Sequence, residues 1–245
     1  MKFWPSIAKT LLATFFAALP ACASALKPAT DELQVYILLD RTGSMASIWD
    51  EALNSVNAYA DELTKEQDPP LDVEISLAVF DAQDGLQFDM LRRKETPAGW
   101  KPVTSQEANP RGMTPLFDAI GAMLTVAEED KPKRAVIVVM TDGRENASRE
   151  MTKETVKARL DSARKKGWEI VFLGAEFANF DDASSVGVSA AKSMAVSKEG
   201  MEETMRRLSK KSRDYGVAQD AEAAPIEFDD SDRDAAGEEG VKDKQ

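Results

Sequence analysis

The sequence predicts an α/β fold: a doubly wound, mostly parallel six-stranded sheet with one antiparallel edge strand and helices on both faces. Three observations carry that prediction. "VYILL" (35–39), "AVIVVM" (135–140) and "IVFL" (170–173) are continuous apolar runs of strand length, the pattern of strands buried on both faces. Between these runs, apolar residues recur at helical spacing. The short turn "DAQDG" (81–85) joins two further strand-like segments, which must therefore run antiparallel. Alternating strands and helices place the helices over both faces of the sheet.

The N-terminal 25 residues carry a processing signature. Lys2 and Lys9 make a positive start, residues 10–19 (TLLATFFAAL) are apolar, and Ala23, Ser24 and Ala25 put small residues before a cleavage point. The apolar run is too short to span a bilayer comfortably, and no later segment is long enough either. The expected product is an exported chain, periplasmic or secreted, cut after Ala25. The phrase "LPAC" (19–22) supplies the alternative of a lipid anchor at Cys22, although Pro20 departs from the usual lipoprotein pattern. Cys22 is the only cysteine, so cleavage after Ala25 leaves no disulfide and no thiol nucleophile.

A spacer over 26–32 precedes a domain expected over 33–210. Its first strand, 34–40, closes on Asp40. Ile48, Ala52, Val56, Tyr59 and Leu63 then share a helical face, which the run Asp68-Pro69-Pro70 terminates. Residues 73–80 alternate as a strand and 86–91 return beside them. Residues 94–113 form a long proline-containing loop, and loops of this length are usually functional. Leu116, Ile120, Met123, Leu124 and Ala127 mark the next helix, with Thr114 reading as its N-cap and Pro115 as its first residue. Strand 135–141 leads to Asp142 and Gly143. A helix follows through Val156, Leu160 and Ala163, then a strand at 168–174 and a weaker one at 192–197. The last helix carries Met201, Met205 and Leu208. From Gly216 onward ten acids face three bases, and residues 211–245 are expected to be an acidic, disordered tail.

Composition excludes several chemistries. The chain has no histidine, so there is no Ser-His-Asp triad, no histidine-bearing zinc site and no imidazole base. A net charge of −12, reaching −14 once Lys2 and Lys9 are removed, argues against a nucleic-acid partner. What remains is carboxylate and hydroxyl chemistry.

In a doubly wound sheet, ligands bind at the carboxyl ends of strands beside the point where strand order reverses. Asp40 and Asp142 both occupy such ends. Thr42 and Ser44 lie on the loop after Asp40, and Thr114 lies at the end of the long loop. Each has a bland reading as a turn or cap residue. Together, two acids and three hydroxyls suit a hard divalent cation, Mg²⁺ first, with Mn²⁺ and Ca²⁺ as the other candidates. Neutral hydroxyls would leave the cation's charge under-compensated and attractive to a partner's carboxylate.

The segments "DRTGSM" (40–45), "RGMTPL" (111–116) and "TDG" (141–143) resemble the three parts of the metal-ion-dependent adhesion site of von Willebrand factor A-type domains. The family pattern is D-x-S-x-S, a later threonine and a later aspartate; Thr42 stands where serine is commoner. The resemblance covers 33–210 and implies a six-stranded sheet. It implies that Ser44, Thr114 and Thr42 bind the metal through their hydroxyls, with one or both of Asp40 and Asp142 acting through water. The implied partner is a protein presenting Asp or Glu. Two rivals stand beside this reading. One is an Mg²⁺-dependent phosphatase or phosphotransferase with Asp40 as nucleophile; the haloacid dehalogenase-like pattern, however, needs a second Asp where this chain has Thr42. The other is a metal-free scaffold.

Overall fold

The computed structural model describes residues 1, 31–65, 68–177, 179–218 and 224–243. The signal-sequence reading, Cys22 and most of the spacer lie outside the described residues.

Strand β1 (Asp31–Asp40) lies in the middle of one six-stranded sheet, pairing in parallel with β2 (Leu71–Ala82) on one side and β4 (Arg134–Thr141) on the other. Outside β2 runs the antiparallel β3 (Leu86–Glu95), and beyond β4 come β5 (Glu169–Ala175) and β6 (Ser193–Val196), both parallel. The order is β3-β2-β1-β4-β5-β6, so the chain reverses direction across the sheet between β1 and β4. That is the expected architecture.

Period-two side-chain alternation sorts β1 between two cores. Leu33, Val35, Ile37 and Leu39 join the layer built by α1 (Trp49–Glu62) and α5 (Met201–Val217). Tyr36 and Leu38 join the opposite layer, where α2 (Leu116–Asp130), α3 (Lys153–Lys165) and the short α4 (Asp181–Ser185) pack. Each such buried side chain contributes roughly 1.5–3 kcal/mol.

Several sequence expectations are corrected. β1 starts at Asp31, inside the presumed spacer, and α5 continues to Val217, past the expected domain end at 210. The hairpin strands are longer than expected, and their pairing carries register shifts near Leu77. α4 has too few residues to show a helical period. Most of the long loop does not line the carboxyl ends of the strands. Trp49 Nε1 donates to Ala108 O at 2.9 Å and Asn57 Nδ2 to Val103 O at 2.9 Å, holding the loop along α1 until its last residues.

The acidic C-terminal segment is the largest correction. Residues 224–243 form an extended stretch, then α6 (Asp230–Ala236) and α7 (Glu238–Lys242), with Ile226, Phe228, Ala236 and Val241 buried. Three of its acids are paired: Lys211 reaches Asp232 at 2.8 Å and Asp229 at 3.3 Å, and Arg233 reaches Glu238 at 2.9 Å. Phe228→Ala should therefore cost about 3 kcal/mol in urea-induced unfolding, as loss of a core aromatic does. A solvated tail would leave the unfolding midpoint unchanged.

Candidate metal centre

Asp40 ends β1 and Thr141 ends β4, side by side at the reversal point. The Thr141 hydroxyl donates to Asp40 Oδ2 at 2.6 Å, stitching the two strand ends together. The Thr42 N–H donates to Asp40 Oδ1 at 2.7 Å, an Asx-type turn that bends the chain back over the strand end. A one-and-a-half-turn 3₁₀ helix (Gly43–Ser47) follows and lifts Ser44 outward. The turn brings the Thr42 and Ser44 hydroxyls within 3.1 Å of each other, and the Ser44 hydroxyl donates to Asp142 Oδ1 at 2.7 Å.

Thr114 reaches the same place from the third loop. A Cβ added to Gly143 would stand 3.4 Å from Thr114 Oγ1 and 3.9 Å from Ser44 Oγ, so both hydroxyls flank the glycine after Asp142. Thr114 is not the N-cap that its position before Pro115 suggested. Pro115 occupies the cap position with no side-chain cap bond. The exposed N–H groups of the first turn of α2 are satisfied instead from the loop after β4. Phe117 N–H donates to Glu145 Oε2 at 2.9 Å and Asp118 N–H to Ser148 Oγ at 3.0 Å. The Thr114 hydroxyl is thereby released from capping. All five residues singled out from the sequence thus converge.

The donor spacing suits a small, hard cation. An octahedral Mg²⁺ with oxygens at about 2.1 Å sets neighbouring ligands roughly 3 Å apart. The contacts of 3.1 and 2.7 Å along Thr42, Ser44 and Asp142 fall near that value. Among the described residues no three Asp, Glu, His or Cys side chains are arranged to hold a metal ion, and the oxygens gathered at this site belong to two acids and three hydroxyls. Such a set fits Mg²⁺ and does not fit Zn²⁺.

Burial makes the acids uncomfortable without a counter-charge. Asp40, 0% exposed, has its pKa pushed up to about 7, chiefly by desolvation, with the neighbouring Asp142 charge adding and the Thr141 and Thr42 hydrogen bonds opposing. Asp142 is also raised, again by burial, against the Ser44 hydrogen bond.

Sequence reading missed the residues that hold the loops in place. Arg41 is buried, and its Nε donates to Asp81 Oδ1 at 2.7 Å while its Nη2 reaches Asp89 at 2.5 Å. Arg111 takes the other Asp81 oxygen at 3.2 Å, and its backbone N–H donates to Arg41 O at 2.7 Å. The loop after β1 and the loop before α2 therefore share one buried carboxylate. Gly112 lies between them at φ +71, where a Cβ would stand 2.4 Å from Ala82 O. Only glycine fits there. Asp118 fixes the third loop, accepting the N–H groups of Arg149, Glu150 and Met151 at 2.7–3.0 Å. The alternation of Arg and Asp at strand ends was the available signal, but the pairs are 30 to 48 residues apart.

The fold is thus a doubly wound α/β domain with a cluster of hydroxyl and carboxylate oxygens at its sheet reversal point. The sequence matches the von Willebrand factor type A domain family over residues 34–223, and the chain belongs to that family. Among solved structures, the domain of the type V pili tip protein Mfa5 from Porphyromonas gingivalis is similar at TM-score 0.58 and 10% identity, over 78% of this chain and 97% of that one. A von Willebrand factor type A protein from Catenulispora acidiphila gives 0.53 and 15%, over 76% of this chain and 43% of that one. The pilus adhesin SpaC from Lactobacillus rhamnosus GG gives 0.53 and 13%, over 77% and 31%. At these identities the likeness is one of fold. The chain spans less than half the length of the first solved structures it matches. Among curated proteins, none matches the sequence.

The Asp40 environment has a pH consequence. An acid whose folded pKa is raised penalises the folded state increasingly as pH climbs from the unfolded value near 4 to about 7, and fully above it. In EDTA, Asp40→Asn should therefore gain thermal stability over the parent chain progressively between pH 4 and pH 7. A difference that stays constant with pH would contradict this environment.

Proposed function

We propose that the chain is an exported, Mg²⁺-dependent protein-binding module. Ser44, Thr114 and Thr42 hold the cation through their hydroxyls, and Asp40 and Asp142 hold it directly or through water. When bound, the cation supplies positive charge that the three neutral hydroxyls do not cancel, which draws an Asp or Glu side chain of a partner protein. The observation that carries this reading is the run of touching oxygens from Thr42 through Ser44 to Asp142, at 3.1 and 2.7 Å, which links two loops at the mouth of the β1–β4 crevice. Ser44 is exposed there, so the cluster opens to solvent on its outer side.

The geometry disfavours the phosphotransfer rival. Asp40 is fully buried, and its two oxygens accept from the Thr42 N–H and the Thr141 hydroxyl, which leaves no open approach for a bulky phosphoryl group, whereas a small cation or its water needs only a remaining lone pair. The N-terminal Lys2, Lys9 and Ala23-Ser24-Ala25 pattern supports export, to the periplasm or outside the cell. Among the described residues no helix is long and apolar enough to cross a membrane.

Isothermal titration with Mg²⁺ or Mn²⁺ tests the proposal. The intact chain should bind one cation, and Ser44→Ala or Thr114→Ala should weaken it by about tenfold or more. Ser47→Ala, outside the cluster, should leave affinity unchanged. No binding at millimolar cation would favour the metal-free scaffold. Capture of envelope proteins should then require Mg²⁺ and be lost in EDTA and in Ser44→Ala.

A further inference from the structure

The sheet ends at β6, whose outer edge has no strand neighbour among the described residues. Successive strand residues turn their backbone groups to opposite sides, and Ser193, Ala195 and Ser197 turn theirs away from β5. All three meet the C-terminal segment. Arg233 Nη1 donates to Ser193 O at 3.3 Å, Ala195 N–H donates to Glu238 Oε1 at 3.1 Å, and Ser197 N–H donates to Ala236 O at 2.8 Å. Three of the edge's outward backbone groups are thus taken by the C-terminal segment rather than by a strand.

The fit is built at backbone level. Gly237 turns the corner between α6 and α7 at φ +68, and a Cβ there would stand 2.7 Å from Ser197 Oγ. The Glu238 carboxylate is buried and balanced by Arg233 at 2.9 and 3.0 Å and Lys242 at 2.8 Å. Ile226 and Phe228 fill the core beside Met194, Val196 and Met205. Residues 224–242 lie wholly beyond the family match, which ends at 223.

We propose that residues 224–242 cap a strand-pairing surface, and that the occupant they keep off is a second copy of this chain docking β6 against β6. An open strand edge is a template for another strand. Residues 193–197 (SMAVS) carry no charge and no proline, so the edge itself, between Lys192 and Lys198, holds no residue that blocks pairing. Every copy presents the same edge, so antiparallel β6–β6 pairing about a two-fold axis is self-complementary. The cap opposes that approach electrostatically as well as sterically. Residues 224–243 hold eight acids against two bases, so two capped copies repel one another at this side.

The test uses the full chain with the cap unseated by Glu238→Lys and Gly237→Val, singly and together. Glu238→Lys sets a third cation beside Arg233 and Lys242, and Gly237→Val cannot adopt the turn. Amide hydrogen exchange at Ala195 and Ser197 reports the edge, and light scattering reports mass. Exchange at both amides should rise at least tenfold, and the mass should double relative to the parent chain as concentration increases. Adding Ala195→Pro, which removes an edge N–H, should restore the parent mass. Exposed amides without association would overturn the proposal. Association that survives Ala195→Pro would do so too, since it would come from the uncovered core. Retained protection in the double variant would show that the edge does not need the cap, which also overturns it.

Discussion

One buried carboxylate organises the carboxyl end of the sheet. Asp40 sits at the end of the central strand, at the point where the chain order reverses, with no solvent to share its charge. Its two oxygens are used in different directions: one joins β1 to β4 through Thr141, the other folds the following loop back through the Thr42 N–H. That second bond is what sets the Thr42 and Ser44 hydroxyls on the same side of the turn. Burial has a cost, visible in the raised pKa, and a nearby positive charge is the natural remedy.

The other two loops are held against this turn by groups that do not belong to the oxygen cluster. Asp81, shared between Arg41 and Arg111, ties the loop after β1 to the loop before α2. Removing it would leave a buried guanidinium without its main partner, which is more costly than the pair itself is stabilising. Glu145 of the loop after β4 accepts the Phe117 N–H at the start of α2, and Asp118 of α2 accepts the Arg149 N–H of that loop, so the helix end and the loop cap each other. Thr114 benefits from both ties. It sits between Gly112, pressed onto Ala82, and a helix whose first N–H groups are already satisfied.

How much of this was legible in the sequence depended on range. Buried parallel strands show as uninterrupted apolar runs, and strand ends show as the first polar residue after them, so Asp40 and Asp142 could be placed without a structure. The alternate hydroxyls at Thr42 and Ser44 were legible for the same local reason. Arg41, Asp81, Asp89 and Arg111 were not, because a buried ion network is a statement about distant residues, and singly each looks like a surface charge. The C-terminal segment failed for a related reason. Its acid count concealed that Arg233, Lys242 and Lys211 answer the buried or helix-end carboxylates, and that Ile226 and Phe228 alternate into the core. The Asp229–Asp232 capping box and Gly237 at a helix end were the local signs that this segment folds.

Three neutral hydroxyls and two carboxylates meeting at one point is the central claim, and crystallography of the Mn²⁺-soaked protein addresses it most directly. A single strong anomalous peak is expected within coordination distance, about 2.1–2.2 Å, of the Ser44 and Thr114 hydroxyl oxygens. Asp40 and Asp142 should lie in contact with it or one water away. No peak at that point, or a stronger one elsewhere on the surface, would contradict a cation site at this cluster.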